Sequence, residues 1–231
     1  MANAPFVIVF ALFPELTQLD FTGPWEVMCR IPNSQTIVAS RDGGTIRSQR
    51  GLAFEGTTRL ADVERCDLIC VPGGPGTGAA MLDDAYIAEV RRLALGARYI
   101  TSVCTGSLIL GAAGLLKGKR AACHWASRQF LPAFGAEAAK ERVVIDGNII
   151  TGGGVTAGID FGLTVAAEVA GRTQAELIQL SLEYAPKPPF KAGEPWTAPD
   201  ALVAHYLKSS QAWTDEREVV VKAAAAKLSP S

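Results

Sequence analysis

A chain of 231 residues is the size of one large domain and short for two independent cores. With 48% hydrophobic and 19% charged residues it can bury a substantial core, which excludes an intrinsically disordered or low-complexity chain. The 22 Lys and Arg against 23 Asp and Glu leave a formal charge of −1, so no bulk field draws the chain to nucleic acid or to an anionic membrane; a small neutral partner fits better.

In chain order, the continuous apolar run Phe6–Leu12 has the length of a strand covered on both faces, and it predicts a central parallel strand. The run lacks a basic leader and a small-residue cleavage site and is closed by Glu15, so neither a signal peptide nor a membrane span is expected. Residues 20–24 read as a turn with Pro24 at a first-turn position, followed by helical spacing from Trp25 to Ile31. Further strands are predicted over 35–40 and 67–72, separated by a hairpin-like excursion from Asp42 to Thr58. Residues 98–103 form the next buried strand and run directly into Cys104-Thr-Gly-Ser and an apolar helical pattern over 108–116. A hairpin over 142–151, turned by Asp146-Gly-Asn, precedes an Ala-rich helix over 156–171. Five prolines between Tyr184 and Pro199 exclude regular helix or central strand there, and residues 200–228 read as helix in two pieces. Strands alternating with helices imply an α/β layer fold with a parallel sheet, one domain over 1–231, and an arm over 184–231 packed on the body or on a second subunit.

Five cysteines, at 29, 66, 70, 104 and 123, are an odd count with no paired zinc-ribbon spacing, which predicts reduced thiols in a cytoplasmic protein and no metal. Cys66 and Cys70, four apart across a strand, read as buried small hydrophobes before they read as ligands.

The chemistry concentrates at Cys104. Strand, cysteine, small-residue turn and helix are the plan of a nucleophile elbow, in which free N–H groups at the helix start face the sulfur and favour the thiolate. Gly106 suits the sharp turn. The plainer alternative is a core cysteine at a strand end. Two other glycine turns, 71–78 and 152–158, follow buried strands, and in an open α/β sheet they converge on the same carboxyl edge. A phosphate loop is disfavoured at 71–78, which has no Gly-Lys-Ser/Thr ending and is followed by Asp83 and Asp84. A thiol nucleophile needs a proton partner. Thr105 stands where an adjacent Cys-His pair would place histidine, which argues against peptide hydrolysis. His124 either stands behind the reacting groups or is a structural histidine, and His205 reads as surface. Asp20, after the first strand, either points at Cys104 or caps the first helix.

The segments Leu19–Pro24, Val71–Gly74, Thr101–Leu108, Cys123–Trp125, Thr151–Phe161 and Leu182–Pro186 together resemble the DJ-1/PfpI superfamily, and within it the isocyanide hydratase branch, over nearly the whole chain. The resemblance implies a flavodoxin-like three-layer sandwich and a homodimer. It implies isocyanide and water as substrates without a cofactor, with Cys104 as nucleophile, Asp20 as general acid/base and Thr105 beside them. Backbone amides of Gly73, Gly74 and Thr105 are expected to hold developing charge, with His124, Gly154 and Val155 as a possible outer layer. Glu26, read as the only acidic residue inside the first helix, is taken as structural. Two alternatives remain: a glyoxalase-type enzyme acting on reactive carbonyls, and a redox or ligand sensor using Cys104. No basic helix-turn-helix module is read in the chain, so a DNA-binding regulator is disfavoured.

Overall fold

A computed structural model describes residues 4–228; the outermost residues of the expected domain, 1–3 and 229–231, lie outside the described residues. The chain runs β1 (Phe6–Leu12), α1 (Gln18–Met28), β2 (Ser34–Ser40), β3 (Gly44–Arg47), β4 (Ala53–Arg59), β5 (Leu68–Val71), α2 (Thr77–Leu82), α3 (Asp84–Gly96), β6 (Tyr99–Val103) and α4 (Gly106–Ala112). It continues through β7 (Arg120–Ala121), β8 (Glu137–Ala138), β9 (Val143–Asp146), β10 (Ile149–Gly152), α5 (Ala157–Ala170), α6 (Arg172–Ser181), α7 (Asp200–Ser209) and α8 (Gln211–Ala226).

Eight strands form one sheet in the order β3-β4-β2-β1-β5-β6-β10-β9, and β7 pairs with β8 apart from it. The pairs β4-β2, β2-β1, β1-β5, β5-β6 and β6-β10 are parallel; β3 and β9 are antiparallel edges. The expected apolar run is the central strand: Ile8 to Leu12 are fully buried, as a strand covered on both faces requires. The order of strand addition reverses at β1, with β2 on one side and β5 on the other, so the loops after β1 and β5 diverge at the carboxyl edge and leave a crevice there. Helices α1 and α5 pack on each other, while α2, α3, α4 and α8 pack among themselves, giving helix, sheet and helix layers of a flavodoxin-like sandwich.

Two sequence expectations change. Helix α1 begins at Gln18, so residues 20–24 are helical and Pro24 lies inside the helix. Proline there removes one N–H, the donor that would reach the carbonyl of Asp20, and its ring is accommodated because the facing residue of α5 is Gly158, where a Cβ would lie 3.0 Å from the ring's Cδ. Gly162 meets Val27 as closely, so the two helices touch almost backbone to backbone. Helices α3 and α6, which the sequence reading passed over, complete the layers. The proline crossing over 184–199 holds neither helix nor strand, as expected.

Tyr86 of α3, fully buried, donates a 2.8 Å hydrogen bond to the carbonyl oxygen of Ala11 near the carboxyl end of β1, and this bond ties a helix to the edge that carries the site. Tyr86→Phe leaves that carbonyl without its partner and is expected to lower unfolding stability by about 1–2 kcal/mol, read as a shift of the urea midpoint with an unchanged slope.

Candidate active site

Strand β6 delivers Cys104 to the carboxyl edge. The Cys104 N–H continues the β6-β10 ladder by donating to the Gly152 carbonyl at 3.0 Å, and the backbone then turns through a φ of +59°. This left-handed conformation costs a residue with a β-carbon roughly 1–2 kcal/mol and marks the elbow. Gly106 follows because a Cβ at that position would run into the carbonyl oxygens of Val71 and Pro72.

Helix α1 brings Asp20 to the same point. Thr17 is the residue before the helix, and Asp20 is the third residue within it, so Asp20 is not the cap and Glu26 is not the only acidic residue of α1. Glu26 is exposed and pairs with Arg30 at 2.6 Å, a surface role. Asp20 is fully buried; its Oδ2 accepts a 3.2 Å hydrogen bond from the Gly73 N–H. Burial raises the Asp20 pKa to about 7, although the nearby Cys104 thiol and the hydrogen bond from the Gly73 amide work in the opposite direction. Cys104, 5% exposed, is pushed well above the usual thiol range by burial and by the charge of Asp20, with the Thr105 N–H facing the sulfur as the compensating contact. The lowering expected at the helix start is present as the Thr105 amide contact, but desolvation and the buried carboxyl outweigh it. Carboxyl and thiol thus both resist ionisation in one dry site, and their titrations are linked.

The glycine loop after β5 closes over this pair. The Gly74 N–H donates to Thr105 Oγ1 at 2.9 Å, and the Thr105 and Thr77 hydroxyls share a 2.8 Å hydrogen bond. The loop is also stitched to the chain after β1, with the Thr17 N–H on the Gly73 carbonyl and the Gly76 N–H on the Glu15 carbonyl. A Cβ at Gly73 would lie 2.6 Å from Thr105 Oγ1 and 2.9 Å from Asp20 Oδ2, so only glycine fits between acid and elbow. The amides expected to face substrate at Gly73 and Gly74 are thus engaged by Asp20 and Thr105: they orient the machinery. Of the three amides, Thr105 is the one that faces the sulfur.

His124 is half-buried; its Nδ1 accepts from the Ala126 N–H at 3.3 Å, and burial and the nearby Arg217 lower its pKa, so it stays neutral. A Cβ on Gly154 would lie 3.6 Å from the His124 ring, which places those two together at the rim. Val155 packs on the core, and His205 is exposed. Cys66, Cys70 and Cys123 are buried free thiols.

Residues the sequence reading missed come from the arm. Arg217 of α8 is 3% exposed and interacts electrostatically with Cys123 and Cys104; Tyr206 of α7 also senses Cys104. The Tyr206 ring lies 5.0 Å from that of Trp125, at the side of a groove of about 360 Å³ that includes Pro195, Leu202 and His205. The one signal for Arg217 was an arginine leading the stripe Arg217, Val221, Ala224 that α8 buries.

Residues 7–168 match the DJ-1/PfpI family. The chain is 50% identical to an isonitrile hydratase of Pseudomonas putida over 221 residues, covering 96% of this chain and 97% of that protein. It is 31% identical to an HTH-type transcriptional regulator, CdhR, of Pseudomonas aeruginosa, over 76% of this chain and 53% of the regulator. Among solved structures, a ThiJ/PfpI family protein from Pseudomonas syringae superposes with a TM-score of 0.91 at 38% identity, covering 94% of this chain and 90% of that one.

The raised Asp20 pKa makes stability pH-dependent. Neutral Asp20 suits the folded site, so its contribution is fully present below about pH 4 and is lost as pH rises through about 7. Asp20→Asn, which stays neutral, is expected to gain about 2 to 4 kcal/mol over the native chain between pH 4 and pH 8. Urea midpoints across that range measure it, and a gap that does not change with pH would refute the shift.

Proposed function

Since the chain belongs to the DJ-1/PfpI family, we propose that it is an isocyanide hydratase, converting an isocyanide and water to an N-substituted formamide. The observation that carries this reading is the burial of one carboxyl and one thiol together at the same strand edge, and the pair is taken to react with one proton between them. The 50% identity to an isonitrile hydratase over nearly both full lengths supports the choice of substrate.

The terminal carbon of an isocyanide holds a lone pair and becomes electrophilic when that carbon is protonated. The substrate therefore needs an acid and a nucleophile at one atom, and the Asp20–Cys104 pair provides both. Asp20 gives the shared proton to the carbon as Cys104 Sγ bonds to it, forming a thioimidate and leaving Asp20 ionised. Asp20 next takes a proton from water as the hydroxide adds to the carbon, and passes that proton to the nitrogen. Loss of the hydroxyl proton to Asp20 then forms the carbonyl, breaks the C–S bond and releases the formamide. The pair ends as it began, with one proton. The Thr105 N–H stabilises charge on the sulfur, and the Thr105 hydroxyl, through Gly74 and Thr77, fixes the loop that positions Asp20. His124 and Gly154 shape the rim.

The setting is proposed as a cytoplasmic homodimer built from one domain over 1–231. Free cysteines support the compartment, no helix among the described residues is long and apolar enough to cross a membrane, and exposed Trp196, Leu202 and Leu207 on the arm support a second copy. The likeness to part of a transcriptional regulator favours ligand sensing as the second reading.

Formamide release from an alkyl and an aryl isocyanide by the purified protein tests the assignment, followed by absorbance and product mass. Cys104→Ala is expected to abolish turnover, and Asp20→Asn to lower it by at least about a hundredfold with the fold retained. Turnover that persists in Cys104→Ala would remove the covalent route. A folded native chain without turnover on isocyanides or on reactive carbonyls would leave the sensor.

A further inference from the structure

Arg217 stands out among the charged residues because it is buried without a counter-charge. None of the ion pairs among the described residues includes it, and its Nη1 has no hydrogen-bond partner at all. Its Nη2 makes one long bond, 3.4 Å, to the Gly74 carbonyl, and its guanidinium carbon sits 3.8 Å from the centre of the Trp213 ring, one helical turn earlier. A structural arginine on a buried helix face is ordinarily held by a carboxylate or by several carbonyls, because an unmatched cation in a dry site is strongly unfavourable. Here the face of Trp213 and one carbonyl are all that hold it, so the charge is left for something else.

We propose that Arg217 is a positioning residue of the reaction centre, supplying from the C-terminal helix a fixed positive charge that stabilises ionised Cys104. Its bond to Gly74, whose N–H holds Thr105 next to Cys104, sets it on the loop that closes over that thiol. Cys123, in the loop after β7, is pushed up to about 12 by burial; Tyr206 of α7 is also raised; both stay neutral near physiological pH. His124 is pushed down and neutral, and Glu216 is exposed. Arg128 lies over the Trp196 ring and lowers Cys123, while Asp20 of α1 raises Cys104. Cys104 is therefore the one group near Arg217 whose chemistry requires a negative charge, and the guanidinium opposes the burial and the carboxyl that otherwise hold the thiol protonated. Its bond to the Gly74 carbonyl places the charge on the same loop whose N–H holds Thr105. A cation anchored on that loop lets the Cys104 proton leave for the substrate without leaving an unbalanced anion.

The inference rests on Cys104 being the nucleophile, but it is tested without an isocyanide, so its failure is separate from failure of the hydratase reading. The rate of Cys104 alkylation by iodoacetamide is followed from pH 6 to 10 by peptide mass, which distinguishes Cys104 from Cys123. Arg217→Gln keeps a donor for Gly74 and removes the charge; it is expected to move the Cys104 profile up by about one pH unit, about tenfold slower alkylation below the midpoint. Arg217→Met should do the same, and Arg217→Lys should restore most of the native profile. A folded Arg217→Gln or Arg217→Met with the native profile would overturn the proposal. So would failure of both neutral variants to fold while Arg217→Lys folds, since the charge would then belong to the fold and not to the thiol.

Discussion

The burial of Asp20 against Cys104 is the constraint on which the site depends. Water would let both groups ionise independently, near 4 and near 9. In a site that excludes it, desolvation raises both, and the charge of Asp20 raises the thiol further. The result is a carboxyl that holds its proton to about pH 7 and a thiol that needs help to lose its own. A proton donor and a latent nucleophile then coexist at one pH, which neither group in isolation would allow.

Maintaining that pair requires backbone to come where side chains cannot. Cys104 projects from a left-handed turn whose continuation is possible only because Gly106 has no Cβ to strike the β5 loop. Gly73 occupies the narrow gap between Asp20 and Thr105 for the same reason, and its N–H is spent on the carboxylate. Gly74 in turn binds Thr105 through its N–H and Arg217 through its carbonyl. The glycine loop thus serves as a bracket between the first helix, the elbow and the last helix, and a fixed bracket is what holds reacting groups in register without reorganisation.

Much of this was legible where local pattern and tertiary role coincide. The unbroken apolar run of β1 and the cysteine between a buried strand and small residues announced themselves, because sheet burial and sharp turns leave marks on neighbouring residues. The start of α1 was hidden because Asp20 sits on the helix's buried face, where periodicity expects an apolar residue, and because Pro24 reads as a boundary unless Gly158 is known to lie against it. How the opposing influences on Cys104 balance was hidden for a related reason: the helix start is a local feature, whereas burial and the approach of Asp20 are set by packing. Arg217 was the least visible. Its helix carries charges throughout, and only the tertiary fold distinguishes the one turned inward from those that stay in water.

The arm changes what the central sandwich can do. It lies beyond the segment that matches the family, yet it contributes Tyr206 against Trp125 and Arg217 on the carbonyl of Gly74. A buried thiol and carboxyl alone form a centre that strongly favours the protonated, resting state, which would suit a sensor as well as an enzyme. A cation that cannot be hydrated and has no carboxylate of its own alters that balance, because it is relieved when the sulfur becomes negative. The same elbow can therefore be quiescent or nucleophilic according to what the last helix sets beside it, and residues remote in sequence from Cys104 carry part of its reactivity.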